Sequence, residues 1–201
     1  MIALIVGNGE VSASTNIPEN PYIICADGGI RHMKKLGLKA DIVIGDMDSS
    51  NGEVSDAETV VYPVKKDFTD SELAVRYALK NGYDEIYLLG FTGTRLDHTL
   101  TNIFLLNEIQ NHGAKGVIID SHNTVFLADT ENEISGERGD LISIIPISGD
   151  ASGITTEGLE YPLNNETLFF CKSRGVSNVM SGATCKITIT KGKALIIKSK
   201  D

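Results

Sequence analysis

Gly45-Asp46-Met47-Asp48-Ser49 follows directly on the apolar run Ile42-Val43-Ile44. Two carboxylates two residues apart share one direction where the backbone stays extended. Ionised at that spacing they repel, unless a cation lies between them. Mg²⁺ suits the pair, because it takes oxygen ligands and is commonly held by one or two carboxylates plus phosphates. Gly, Asp and Ser are also ordinary turn residues, so the pair alone leaves a metal site and a solvated turn both open. Two further acidic sites recur at helix starts: Lys66-Asp67-Phe68-Thr69-Asp70 and Arg95-Leu96-Asp97-His98. One acid at a helix start is usually a dipole partner. Three such loops, each near Gly, Lys or Arg, point instead to a shared Mg²⁺-phosphate site, provided that their strands are parallel neighbours ending on one edge of a sheet.

Each residue type has a task in that reading. Mg²⁺ on Asp46, Asp48 and Asp70 would bridge phosphate oxygens and neutralise developing charge. Gly90 and Gly93 permit close backbone approach, and free N–H groups at the next helix start bind anions. Arg95 either clamps a phosphate through its planar fork or pairs with Asp97, and Lys66 offers a point charge. His98 either touches the nucleotide or orients Asp97. Asn102, four residues on, shares its helix face and is also placed to bond a neighbouring loop. His32, His112 and His122 show no metal-ligand grouping.

The elements that must position these residues follow from patterning. Ile2–Val6, Tyr22–Ala26, Ile42–Ile44, Thr59–Tyr62, Glu85–Leu89, Val117–Ile119 and Thr124–Leu127 read as strands. A helix is predicted from Asp27-Gly28-Gly29 through about Leu36, with Ile30, Met33 and Leu36 at helical spacing and Gly37 as its stop. Thr69 and Glu72 form a capping-box pattern ahead of a second helix that ends at Asn81-Gly82. A third, from about Arg95 to Asn111, is apolar around much of its surface and is expected to be buried. Strands alternating with helices predict a largely parallel sheet. Beyond the polar stretch Asp129–Asp140 the runs Leu141–Ile147, Gly153–Thr156, Thr184–Thr190 and Ala194–Lys198 are β-rich. Ile187-Thr188-Ile189-Thr190 alternates strictly, the mark of one buried and one wet face. The expected architecture is an α/β domain over residues 1–128 followed by a β-sandwich over 129–201.

Composition sets the outer limits. The net charge of −9 leaves no basic stripe for a nucleic-acid surface. The apolar runs are far too short to span a bilayer, and no signal-peptide pattern opens the chain. Cys25, Cys171 and Cys185 are odd in number and scattered, which suits a reducing compartment. A cytoplasmic location is expected.

Ala26-Asp27-Gly28-Gly29, Gly45-Asp46-Met47-Asp48-Ser49, Lys66-Asp67-Phe68-Thr69-Asp70, Gly93-Thr94-Arg95-Leu96-Asp97-His98 and Ser177-Asn178 occur in that order. Together they resemble the thiamine pyrophosphokinase family, whose members transfer a diphosphate from ATP to thiamine. The resemblance implies the same two-domain plan and a homodimer with active sites at the subunit interface. It implies Mg²⁺ on Asp46, Asp48 and Asp70, with Asp97 as a further metal contact or as the acceptor of the thiamine hydroxyl proton. ATP would lie among Asp27, Gly28, Gly29, Lys66, Thr69, Gly93, Arg95, His98 and Asn102, and thiamine against Ser177 and Asn178, supplied from the partner's β-domain. The chain departs from the family pattern in a glycine-poorer loop at Gly90–Thr94 and in having no Trp to stack on thiamine. Two rival readings share the motifs: a diphosphokinase acting on another alcohol, such as a hydroxymethylpterin, and a non-catalytic nucleotide or thiamine binder.

Overall fold

A strand with four consecutive buried residues needs cover on both faces, and Ile2–Val6 (β1) has that pattern. The computed structural model describes residues 1–45, 58–61 and 68–200. The chain divides into two units, Met1–Ser121 and His122–Asp201. In the first, β1 is followed by β2 (Tyr22–Ala26), a 3-10 turn at Asp27–Gly29, α1 (Ile30–Leu36), β3 (Ile42–Gly45) and β4 (Glu58–Val61). Then come α2 (Asp70–Lys80), β5 (Glu85–Leu89), α3 (Leu96–Asn111) and β6 (Lys115–Ile119). All pairings are parallel, in the order β6-β5-β1-β2-β3-β4. The expected alternation is therefore present. The chain leaves β1 toward β2 on one side and returns to β5 on the other. That reversal opens a crevice beyond the carboxyl ends of β1 and β5.

Local signals fix the helices. Gly37 closes α1 at φ 65°, a left-handed conformation that glycine adopts without a Cβ penalty. Thr69 caps α2 as its sequence implies, its hydroxyl accepting from Glu72 N. The third helix departs from expectation. Asn102, Leu105, Leu106 and Ile109 are buried, but Leu96, Leu100 and Phe104 are 68%, 48% and 62% exposed. Those three recur every four residues, so they form one outward stripe rather than a buried face.

The second unit holds β7 (Asn123–Leu127), β8 (Glu131–Ser135), β9 (Leu141–Pro146), β10 (Ala151–Glu157), β11 (Glu166–Leu168), β12 (Asn178–Val179), β13 (Thr184–Thr188) and β14 (Ala194–Ser199). One antiparallel sheet runs β12-β9-β14-β7 and the other β11-β10-β13-β8. Alternate residues, including Ile142, Ile144, Ile154, Cys185, Ile187 and Ile196, meet between them as one core, as a sandwich requires. The division at 121/122 precedes the 128/129 boundary read from sequence, because β7 pairs along its whole length with β14. The polar stretch Asp129–Asp140 contains β8, in which only Ile134 is buried. An edge strand with a single apolar anchor carries little periodic signal.

Candidate active site

Two loops meet where β1 and β5 end. Gly7 N donates to Leu89 O at 2.8 Å, Gly9 N to Gly90 O at 2.7 Å and Glu10 N to Thr92 O at 2.8 Å, so the parallel pairing continues past both strands. Glycine is required for that approach. A Cβ on Gly9 would lie 2.5 Å from Gly90 O and closer still to Thr92 O, and Gly90 itself sits at φ +74°. The Gly90–Thr94 loop is also held from two other elements. Asp120, just after β6, accepts from Thr92 Oγ1 at 3.0 Å. The buried Asn102 of α3 donates from Nδ2 to Phe91 O at 2.9 Å.

The start of α1 packs onto the same place. A Cβ on Gly28 would meet the Asn8 side chain at 2.5 Å, and one on Gly29 would meet the Val6 carbonyl carbon at 2.8 Å. The paired glycines thus let the 3-10 turn lie directly on the end of β1. From α1, Arg31 Nη2 donates to Asn8 O at 2.6 Å and Lys35 Nζ to Val11 O at 2.8 Å. His32 is buried, and burial lowers its pKa, with the positive charge of Arg31 adding to the effect. It therefore stays neutral and accepts from Arg31 Nε at 3.2 Å.

A cavity of about 520 Å³ opens over these loops, within the usual size of a small-ligand site. Gly28, Thr69, Asp70, Gly93, Arg95, His98 and Asn102, all expected at the site, line it together. So do Asn8, Gly9, Glu10 and Arg31, which sequence reasoning did not select. The only signal for the first three was Gly7-Asn8-Gly9 directly after a buried strand, and Arg31 is one more polar residue of a helix pattern. Asp27 opens the 3-10 turn beside Gly28. Asp46, Asp48 and Lys66 lie outside the described residues. Among the described residues no three His, Cys, Asp or Glu side chains group as a metal site.

The two helix starts at the cavity differ. Thr69 caps α2, whereas the N-cap of α3, Arg95, makes no side-chain capping bond. The first N–H groups of α3 thus take no partner from the N-cap side chain, and helix starts of this kind bind anions. Arg95 turns instead to Asp97, which accepts from Nη2 at 2.6 Å and Nε at 3.2 Å. These hydrogen bonds hold the Asp97 carboxyl below the usual carboxylate range and push Arg95 up. Both side chains are about two-thirds exposed. An exposed pair of this kind contributes little to stability.

In the second unit, Ser177 adopts φ 58° and its N–H donates to Ser143 Oγ at 3.0 Å. Asn178 Oδ1 accepts from Tyr161 N at 3.1 Å while Nδ2 donates to Tyr161 O at 2.7 Å. The Asn178 amide therefore clamps the Tyr161 backbone, and Tyr161 itself is 68% exposed.

Comparison with known proteins covers both units. Residues 14–118 match the family model described as thiamin pyrophosphokinase, catalytic domain, and residues 130–195 match thiamin pyrophosphokinase, vitamin B1 binding domain. The chain is 35% identical over 191 residues to a thiamine pyrophosphokinase of Bacillus subtilis (strain 168), covering 91% of this chain and 89% of that one. It is 26% identical over 208 residues to thiamin pyrophosphokinase 1 of Caenorhabditis elegans, covering 94% and 85%. The crystal structure of thiamine pyrophosphokinase from Bacillus subtilis is similar over the full length of both chains, with a TM-score of 0.91 at 30% identity.

Proposed function

The chain belongs to the thiamine pyrophosphokinase family, and on that premise we propose that it transfers the diphosphate of ATP to the hydroxyl of thiamine, giving thiamine diphosphate and AMP. The observation that carries the reading is the cavity at the β1/β5 crevice, on which three segments place Gly28, Asp70, and Gly93 with Arg95 together. The polyphosphate lies across the loops after β1 and β5 and against the uncapped start of α3. There the backbone N–H groups and the helix dipole favour negative charge.

The expected donor set fits Mg²⁺. It consists of carboxylates alone, and Asp70 stands on the cavity wall at the first position of α2. Asp46, Asp48 and Asp70 would hold the ion, which supplies charge neutralisation on phosphate oxygens. The thiamine hydroxyl oxygen attacks the β-phosphorus in line, and the bond from that phosphorus to the α,β-bridging oxygen breaks to release AMP. The chain's own contribution is positioning and electrostatic complementarity. Arg95 exchanges Asp97 for phosphate as the nucleotide enters. Losing that partner restores Asp97 toward ordinary carboxylate basicity, so that it can accept the hydroxyl proton.

Ser177 and Asn178 hold thiamine, and the active species is a homodimer in which the partner supplies these contacts. The outward stripe Leu96, Leu100 and Phe104, starting beside the cavity-lining Arg95, supports burial of this helix face against a second copy. Among the described residues no helix is long and apolar enough to cross a membrane. Free cysteines at 25, 171 and 185 agree with a cytoplasmic setting.

The experiment is a direct assay for AMP release from Mg-ATP by purified protein. Thiamine-dependent AMP supports the reading. AMP with a hydroxymethylpterin but not with thiamine assigns a different alcohol. Ligand-induced stabilisation without AMP over hours marks a binder.

A further inference from the structure

The cavity has two arginines on its described wall, and they stand in opposite states. The Arg95 fork is engaged by the Asp97 carboxylate through two hydrogen bonds. Among the described side chains, which do not include that of Asp27, Arg31 has no carboxylate partner. Its Nη2 donates to a backbone carbonyl, that of Asn8, and its Nε donates to the neutral ring of His32. Neither acceptor carries a charge. A guanidinium has five N–H donors, so most of the Arg31 donor set is left for a ligand. The group is also pre-positioned. The buried His32 ring fixes one edge of the guanidinium, and Asn8 O fixes another.

We propose that Arg31 binds the polyphosphate of the nucleotide donor and is the cavity's ready cation, whereas Arg95 must first leave Asp97. The proposal rests on the reading of this cavity as the nucleotide site and names a residue that the motifs did not select. A guanidinium held rigidly and without a counter-charge loses little conformational freedom on meeting a phosphate, and it can form two parallel charge-assisted bonds. In a chain of net charge −9, an arginine on the cavity wall gives a polyanion local positive charge to meet.

Arg31 also tethers the loop after β1, and the test must separate that role from phosphate binding. Lys35 provides the comparison, because it ties the same loop from the same helix through Val11 O and does not line the cavity. Calorimetric titrations with Mg-ATP and with inorganic tripolyphosphate are made on the full chain carrying Arg31→Gln, Arg31→Lys or Lys35→Ala. The expected result is a loss of about tenfold or more in affinity for both ligands in Arg31→Gln. Arg31→Lys, which keeps charge without the fork, falls between, and Lys35→Ala stays within about twofold of the unaltered protein. Affinities of Arg31→Gln within about twofold, or an equal loss in Lys35→Ala, overturn the proposal. Should Arg31→Gln fail to fold, Arg31→Lys decides on its own: loss of affinity for both ligands supports the proposal, and unaltered affinity overturns it. Thiamine-dependent AMP release by the unaltered protein tests the parent reading separately. Its absence, with these affinities as expected, removes thiamine and keeps the role of Arg31.

Discussion

Gly9→Ala is the sharpest perturbation that the structure offers. An added Cβ would lie 2.5 Å from Gly90 O and nearer to Thr92 O, both backbone atoms that no side-chain rotation can move away. Relief to an ordinary carbon–oxygen contact of about 3.3 Å parts the two loops by roughly 0.8 Å or more. The bonds Gly9 N to Gly90 O and Glu10 N to Thr92 O, now 2.7 and 2.8 Å, then stretch to about 3.5 Å, beyond useful hydrogen-bond length. Each is worth about 1 kcal/mol net, so the loss is about 2 kcal/mol. For a chain of this size that corresponds to a fall in melting temperature of roughly 4–8 °C. Differential scanning calorimetry measures the fall. Gly182→Ala serves as the comparison, because its Cβ would meet nothing within 4 Å and the backbone there is not left-handed. The same separation displaces the cavity floor, so Gly9→Ala also raises KM for ATP. A Gly9→Ala melting temperature within about 1 °C of the unaltered protein, with unchanged KM, refutes the zipped-loop account.

Asp46→Asn and Asp70→Asn are each expected to abolish thiamine-dependent AMP release while circular dichroism shows the fold retained. Near-unaltered turnover of either at saturating Mg²⁺ refutes the metal assignment. Arg95→Ala is expected to raise the Asp97 titration midpoint toward the ordinary aspartate value in the absence of nucleotide, read by NMR, since the Arg95 hydrogen bonds are the main cause of its depression. The sign follows from linkage. A carboxylate with lowered folded-state pKa contributes stability above its unfolded value, and that contribution is lost as pH falls through the lowered one. An unshifted midpoint refutes the pairing. Leu100→Glu together with Phe104→Glu places charge on the outward stripe of α3, and light scattering should then report the mass of one chain where the unaltered protein gives two. An unchanged mass removes that face from the interface.

What was legible in the sequence was local. The run Ile2–Val6, the Thr69 cap and the Gly37 stop each act through a few neighbouring residues, and all lie where their patterns put them. The parallel sheet followed because strands alternating with helices have few other ways to pack. The loop after β1 was not legible, since Gly7-Asn8-Gly9-Glu10 reads as a turn until β5 is known to be the parallel neighbour of β1. Arg31 was hidden for the same reason. On a helix pattern it is one more polar residue, and only the approach of Asn8 O and His32 fixes its guanidinium. The amides of Asn102 and Asn178, both expected at ligand contacts, also hold backbone, that of Phe91 and of Tyr161, a role the sequence left open for Asn102. An amide carries a donor and an acceptor, so it suits either task, and geometry alone separates them. Strands β11 and β12 are too short to carry an alternation.

The charge of the chain bears on how this site must work. A protein of net charge −9 repels a nucleotide polyanion at long range. That repulsion is screened beyond about 8 Å at physiological salt, so attraction has to come from groups inside the cavity. The described wall offers three: Arg31 with no carboxylate partner among the described side chains, Arg95 on an exposed and exchangeable partner, and the uncapped start of α3. The same wall carries Asp70 and Glu10, which favour the nucleotide only when a cation accompanies it. ATP affinity in this protein should therefore depend steeply on Mg²⁺, more so than affinity for a nucleotide at a site walled by arginine and lysine alone. Added monovalent salt should act weakly at first, because it screens the repulsion from the rest of the chain as well as the local attraction. A titration of ATP at fixed ionic strength with and without Mg²⁺ measures the first dependence. Equal affinity in the two conditions would mean that the carboxylates on this wall face away from the phosphates, and the acidic cluster would lose its role in binding.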